Sequence, residues 1–236
     1  EDSVYHEYTL GLRLELPVFV VKRRINSFQL PEDFTLGFLA GADLGRAFRS
    51  FDRGRVFDEG RLSVAFGFQR QATMVLGNGV VDWWWDRSHR IRRLADFSLR
   101  AYHNSLSFLT LAGRVWYVSD WRAAGIDELV LGGLTGLRGY DRAVRTGDRR
   151  LVMNFEGRFF SNVEILSIGL GGAVFADVGR TWKSGEPLSF RDFSASVGIG
   201  LRVSLEKIVR SELIRIDLSH GQDDRWQLSF GTGQYF

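Results

Sequence analysis

The feature that most constrains the fold of this chain is an alternation of apolar with polar or small residues, repeated along most of its length. In the first clear example, Tyr8, Leu10, Leu12, Leu14 and Leu16 occupy every second position. A period of two places successive side chains on opposite faces of a β-strand, and no helical period competes with it. The sequence therefore predicts an all-β protein. The pattern recurs at 34–44, 61–69, 72–85, 94–102, 106–118, 151–159, 170–179, 194–204, 214–219 and 226–236.

The residue types on the two faces distinguish a membrane barrel from a soluble sandwich, which also alternates. One face is bulky and apolar, whereas the other carries glycine, serine, alanine and charges, over segments long enough to span a bilayer at a tilt. Because open sheet edges are not tolerated in lipid, we expect a closed transmembrane antiparallel β-barrel, with a soluble β-protein as the alternative. Eleven segments alternate clearly and 18–28 would be a twelfth, so we predict about 12 strands, or part of a larger barrel.

The composition narrows the possible partners. A net charge of +3 is small beside 31 basic and 28 acidic residues, so no nucleic-acid-binding surface is expected. The longest apolar stretches fall short of the roughly 20 residues that a membrane helix requires. The adjacent Trp83, Trp84 and Trp85 favour an aromatic belt at a membrane interface over an ordinary core cluster.

A glycine-rich loop interrupts the alternation at 131–140 and carries one arginine, Arg138. Its glycines allow the backbone to fold tightly, and a loop this apolar is expected to tuck into the barrel lumen. A desolvated guanidinium there would need carboxylate partners. By strand alternation, Glu156 and Asp177 face inward on the next two strands and are the candidates. The alternative is an ordinary exposed turn with unrelated lumenal charges.

Three motifs, in order along the chain, resemble those of one family. The loop motif Leu137, Arg138, Gly139 and Tyr140 resembles the sixth extracellular loop of the superfamily that includes BamA, the outer-membrane assembly barrel, and the two-partner-secretion transporters. The segment 175–179 resembles that family's aromatic-x-Asp-x-Gly strand motif, and 147–158 resembles the strand between them. The resemblance covers roughly 132–236. It implies an outer-membrane barrel that inserts or translocates protein.

The resemblance also implies roles for individual residues. In that family the loop arginine is held inside the barrel by acidic residues of the two following strands. Carried over by position, Arg138 would be locked by Asp177 and Glu156, with Phe175 and Gly179 in support. This lock is structural and not catalytic.

Further expectations concern organisation, location and partners. The usual family barrel has sixteen strands and is preceded by POTRA domains or a patatin-like lipase. Nothing in this chain resembles either, so residues 1–236 are predicted to be one shortened C-terminal barrel, with 131–147 folded into the lumen. The expected location is a bacterial or organelle outer membrane, with its lipid and a client or passenger polypeptide as partners.

Two further expectations concern the first and last residues of the sequence. Glu1 follows no leader sequence, which suggests a processed or excised form. Phe236 resembles the terminal aromatic signal by which barrels are recognised for insertion. The alternative for Phe236 is an ordinary apolar residue of the final strand.

No enzymatic activity is expected. His6, His89, His103 and His220 show neither catalytic nor metal-ligand spacing, and the chain has no Gly-x-Ser-x-Gly elbow. We therefore predict no catalytic residue, no metal and no cofactor. Two other functions stay open: a passive pore or membrane anchor for an attached domain, and a lumenal or rim hydrolase. The sequence does not predict the oligomeric state.

Overall fold

The computed structural model of the chain describes residues 5–49, 57–86, 89–122, 129–133, 135–140, 145–165, 168–205, 213–222 and 224–236. No helix among these residues is long and apolar enough to cross a membrane. The strands are β1 (Tyr5–Lys22), β2 (Glu32–Arg49), β3 (Phe57–Arg70), β4 (Thr73–Asp86), β5 (His89–Leu106), β6 (Leu109–Arg122), β7 (Leu129–Leu131), β8 (Arg145–Gly147), β9 (Arg149–Ile165), β10 (Ile168–Trp182), β11 (Ser194–Ser204), β12 (Leu213–Gly221) and β13 (Trp226–Thr232), and a 3-10 turn spans Phe190–Asp192.

One antiparallel sheet contains all the long strands, and this confirms the predicted all-β class. Its eleven strands follow the order β1-β2-β3-β4-β5-β6-β9-β10-β11-β12-β13, while β7 and β8 pair separately. The strand expected over 18–28 is not separate, because β1 continues through Pro17 to Lys22 before the chain turns. Proline is tolerated there because β1 is an edge strand, where one side of the backbone has no ladder partner. The described sheet therefore has eleven strands instead of about twelve.

The two edge strands, β1 and β13, do not pair with each other among the described residues. The segments that follow β1 and β13 nevertheless contact each other, and the segment after β1 also contacts β9. Gln234 Nε2 donates to the main-chain oxygen of Asn26 over 3.3 Å, and Arg158 Nη1 donates to that of Ile25 over 2.9 Å. These contacts lie at the end that carries the tight turns 71–72 and 107–108, here called the turn end. The opposite end, which carries the glycine-rich loop, is called the loop end.

The outward face of the sheet is apolar and exposed, as a lipid-facing surface requires. The exposed fractions are 76% for Leu10, 75% for Leu12, 60% for Ile199 and 67% for Phe230. An apolar surface that continues over strands from β1 to β13 is stable against hydrocarbon and costly in water. Inward positions on β9 to β12 include buried polar residues, such as Asp177. This is the arrangement of a transmembrane barrel of the outer-membrane type.

Gly37 reverses the alternation within β2. Its φ is +92°, and a Cβ at this position would lie 2.1 Å from the main-chain oxygen of Leu16. Beyond Gly37, Phe38 is 40% exposed, whereas Leu36 is 4% exposed and packs in one cluster with Met74. Alternation alone places Leu36 and Phe38 on the same face. The reversal turns apolar side chains inward, where they fill the lumen at the turn end.

Gly37→Ala is expected to lower the free energy of unfolding by about 2–3 kcal/mol, because an L-residue is strained at this φ and its Cβ would meet the Leu16 oxygen. Urea unfolding in lipid vesicles, followed by tryptophan fluorescence, measures the loss. Gly185→Ala is the matched control, since Gly185 has φ +97° but no atom within 4 Å of a built Cβ. An equal loss in both variants would contradict the steric contribution at Gly37.

Candidate functional site

The glycine-rich loop enters the lumen from a short hairpin at the loop end. β7 and β8 pair from Leu129 to Gly147, and the chain between them folds inward. Leu131 and Leu137 are 0% and 1% exposed and pack with Val152 on β9. The predicted inward loop 131–147 therefore has its described part in the lumen, while Leu134 and 141–144 lie outside the described residues.

Arg138 lies at the centre of this loop and contacts both carboxylates that sequence alternation selected. Its Nε and Nη2 donate to the two oxygens of Asp177 over 2.7 and 2.9 Å, and its main-chain N–H also points to Asp177. Its Nη1 donates to Oε1 of Glu156. Arg138 is 2% exposed, so its charge is removed from water. The bidentate geometry with Asp177 uses the planar fork that lysine lacks.

The ion pairs extend beyond these three residues. Arg158 Nε lies 2.9 Å from Glu156 Oε2, and Arg202 Nη1 lies 2.6 Å from Asp217 Oδ1. Each of the six groups is at most 3% exposed, and three cations balance three anions. Balanced charge and hydrogen bonds are what a buried ionic group needs to be stable. We call the lumenal ion cluster the set Arg138, Arg158, Arg202, Glu156, Asp177 and Asp217.

Three members of the lumenal ion cluster were not selected from the sequence. Arg158 could have been found, because it follows Glu156 by two positions and so shares its face. Asp217 and Arg202 depend on the register of β11 with β12, in which Asp217 lies opposite Gly200. No local pattern in the sequence gives that register.

Two further motif residues hold the loop against the wall of the lumen. Tyr140 donates its hydroxyl to the main-chain oxygen of Ala195 and accepts from the Gln222 N–H, each over 2.9 Å. Gly139 has φ +84°, and a Cβ there would come within 3.3 Å of Ser196 Cβ. The loop therefore follows the wall at a distance that favours glycine at position 139.

The residues predicted to support the lock also contact the loop. The Phe175 ring centroid lies 3.5 Å from Arg138 Cζ, and the Tyr235 ring centroid lies 4.0 Å from it. Both contacts are cation–π interactions on a desolvated guanidinium. A Cβ at Gly179 would lie 3.0 Å from Leu131 Cδ1, so Gly179 leaves space for the loop. The structure thus brings all the predicted loop and lock residues together.

The residues after β13 also turn into the lumen. Gly233, with φ +69°, starts the turn, and Tyr235 donates its hydroxyl to the Gly133 main-chain oxygen over 2.8 Å. Burial raises the pKa of Tyr235 to about 12. Arg158 Nη2 donates to the main-chain oxygen of Phe236 over 2.8 Å. Phe236 lies in the lumen, and its role as an insertion signal stays a prediction.

The other half of the lumen is more open. A polar recess of about 280 Å³ lies along the first four strands, and Arg13, Asp43, Glu59 and Arg61 are among the residues that line it. The Arg61 side chain is 57% exposed, in contrast to the arginines of the lumenal ion cluster. The described lumen is therefore asymmetric: the glycine-rich loop and the residues after β13 occupy one side, and a solvated polar surface occupies the other.

The histidines do not form a catalytic arrangement among the described side chains. His103 Nδ1 lies 2.8 Å from Thr73 Oγ1, and His220 Nε2 lies 3.4 Å from Asp224 Oδ1. Within the described ranges, no three side chains of metal-ligand type converge. The expectation that the protein is not an enzyme stays a prediction.

Comparisons with known proteins contradict the family resemblance. No family model and no curated protein matches the chain. A solved KdgM porin, in complex with disordered oligogalacturonate, is similar to the chain at 8% identity, with a TM-score of 0.35 and coverage of 98% of this chain and 96% of that chain. The assignment to the assembly and secretion superfamily is therefore wrong. The physical reason is that a short glycine and arginine motif is a local way of packing a loop into a lumen, and it does not identify a family.

Arg138→Ala is expected to lower the free energy of unfolding by about 3–5 kcal/mol, because it leaves the carboxylates of Asp177 and Glu156 buried without their shared cation. Arg138→Lys is expected to recover part of this loss, since lysine keeps the charge without the bidentate fork. Heat-modifiability on gels and urea unfolding in vesicles measure both variants.

Arg100→Ala provides the control for Arg138→Ala. Arg100 lies on β5 and has no ion pair among the described residues, and its Nε has no hydrogen-bond partner there. Its removal is expected to change stability little. Equal losses in Arg100→Ala and Arg138→Ala would contradict the importance of the ion pairs.

Proposed function

We propose that the protein is a passive pore of the outer membrane, narrowed by its own glycine-rich loop. The observation that carries this proposal is the asymmetry of the lumen. One side is occupied by the loop and the lumenal ion cluster, and the other presents the polar recess along β1 to β4. A charged, solvated surface inside an apolar barrel is the kind of path that small polar solutes need to cross a bilayer.

The charged residues of the polar recess favour its interpretation as a path for solutes over its interpretation as a structural core. A core would pair its ionic groups and exclude water, as the lumenal ion cluster does. In the recess, Arg13 is exposed and has no ion pair among the described residues, and Arg61 keeps most of its side chain in solvent although it contacts Asp82. Exposed charges along a lumen set the selectivity of a pore.

The protein-insertion and translocation role implied by the motifs is not part of this proposal. That role depended on the family assignment, which the comparisons contradict. A client polypeptide is likewise not proposed as a partner. A membrane anchor for an attached domain is the competing function, because an anchor needs the same lipid-facing surface but no conducting lumen.

Planar-bilayer recording separates a pore from an anchor. The native protein is expected to give small, steady conductance steps, and Arg138→Ala is expected to give larger steps because the loop loses its ion pairs. Arg13→Glu is expected to shift the reversal potential in a salt gradient towards cation selectivity. Arg70→Glu, an exposed change at the end of β3, should leave the reversal potential unchanged.

Two outcomes would contradict the proposal that the protein is a pore. The first is that the native protein, Arg138→Ala and Arg13→Glu give no conductance above that of the bare bilayer, although heat-modifiability shows that all three are folded. This result would favour the membrane anchor. Equal shifts of reversal potential in Arg13→Glu and Arg70→Glu would mean that the current does not pass the polar recess.

A further inference from the structure

The outward face of β4, β5 and β6 changes its chemistry in steps towards the loop end. Further from that end, Phe97 and Leu99 are 42% and 44% exposed. The Phe97 ring stacks on Tyr117 of β6 with centroids 6.5 Å apart. Closer to the loop end, Arg93 lies opposite Trp83 in the register of β4 with β5. This change from apolar residues to tryptophans paired with arginines matches the change from hydrocarbon to interface in a bilayer.

A pocket of about 410 Å³ lies at this rim, and we call it the rim pocket. It is lined by Trp83, Trp84, Trp85, Arg90 and Arg93. A register shift between Trp84 and Trp85 places Arg90 opposite Trp85, so both arginines reach the same pocket. The rim pocket therefore combines two cations with large aromatic walls.

The Arg90 guanidinium is also oriented by an aromatic ring outside the pocket. Its Cζ lies 5.5 Å from the centroid of the Trp121 ring on β6. This contact holds the charged end of an exposed side chain beside the barrel surface. Arg90 is thus placed over the outward face instead of extending freely into solvent.

The arginines of the rim pocket differ from their neighbours in lacking carboxylate partners. Neither Arg90 nor Arg93 has an ion pair among the described residues, although carboxylates occur on the same strands. Two of those carboxylates pair with other arginines: Asp82 pairs with Arg61, and Asp120 pairs with Arg92 and Arg122. Two cations on a lipid-facing surface are thus left without a carboxylate partner among the described residues.

We propose that the rim pocket binds the phosphate-bearing headgroup of an outer-leaflet lipid. The guanidinium groups of Arg90 and Arg93 supply planar donors for phosphate oxygens, and Trp83 and Trp85 supply the amphipathic walls found at membrane interfaces. Barrels of bacterial outer membranes carry their longer loops on the external side, which places the loop end in the outer leaflet. A lipid is favoured over a free anion because the pocket lies on the same outward face as the exposed Phe97 and Leu99.

Native mass spectrometry of the detergent-solubilised full chain with diphosphoryl lipid A tests this proposal. We expect a bound lipid, and about 30-fold weaker binding in the double variant Arg90→Gln/Arg93→Gln, because two charge-assisted contacts are lost. Arg23→Gln/Arg70→Gln is the control, since it removes the same charge at the turn end. Equal heat-modifiability of the two variants verifies that both are folded.

The remaining outcomes would overturn the proposal. Unchanged affinity in Arg90→Gln/Arg93→Gln would show that the rim pocket does not hold the headgroup. An equal loss in both double variants would show that overall charge, and not this pocket, attracts the lipid. Displacement of lipid A by equimolar inorganic phosphate would identify an ion site instead of a lipid site.

Discussion

The rest of the structure depends on the neutralisation of charge inside the lumen. A single buried guanidinium at Arg138 would be too costly to maintain, and the surrounding elements supply what it needs. Its partners come from β9, β10 and β12, and two further arginines keep those carboxylates in balance. Because each element contributes one charge or two, the loop can occupy the lumen when all these strands are in register. The ion pairs thus form only when the strands have the correct order.

The alternation of residues predicted the all-β class and most strand positions, because lipid on one side and a polar lumen on the other impose a strict period of two. It also selected Glu156 and Asp177 as the contacts of Arg138. It could not place Asp217 or Arg202, since their approach depends on register between distant strands. It misassigned Leu36, because the reversal at Gly37 is a property of backbone conformation and leaves the pattern of residue types unchanged.

The family resemblance shows a different limit of the sequence. The motif residues do meet in space, with Arg138 against Phe175 and Asp177. Each of these contacts stabilises the same buried loop. It says nothing about what the barrel moves, because that depends on the open side of the lumen. Similar local chemistry therefore does not establish a shared function.

The contact between the segments that follow β1 and β13 has a consequence for folding. The hydrogen bond from Gln234 to Asn26 connects residues 208 positions apart, whereas each hairpin of the sheet joins near neighbours in sequence. Closing so long a segment of chain costs more conformational entropy than forming a hairpin, so we expect this contact to form after the hairpins. Because β1 and β13 do not pair in the described structure, their outer edges still present unpaired backbone groups after this contact has formed. Both edges therefore keep the capacity to pair with another strand in the membrane.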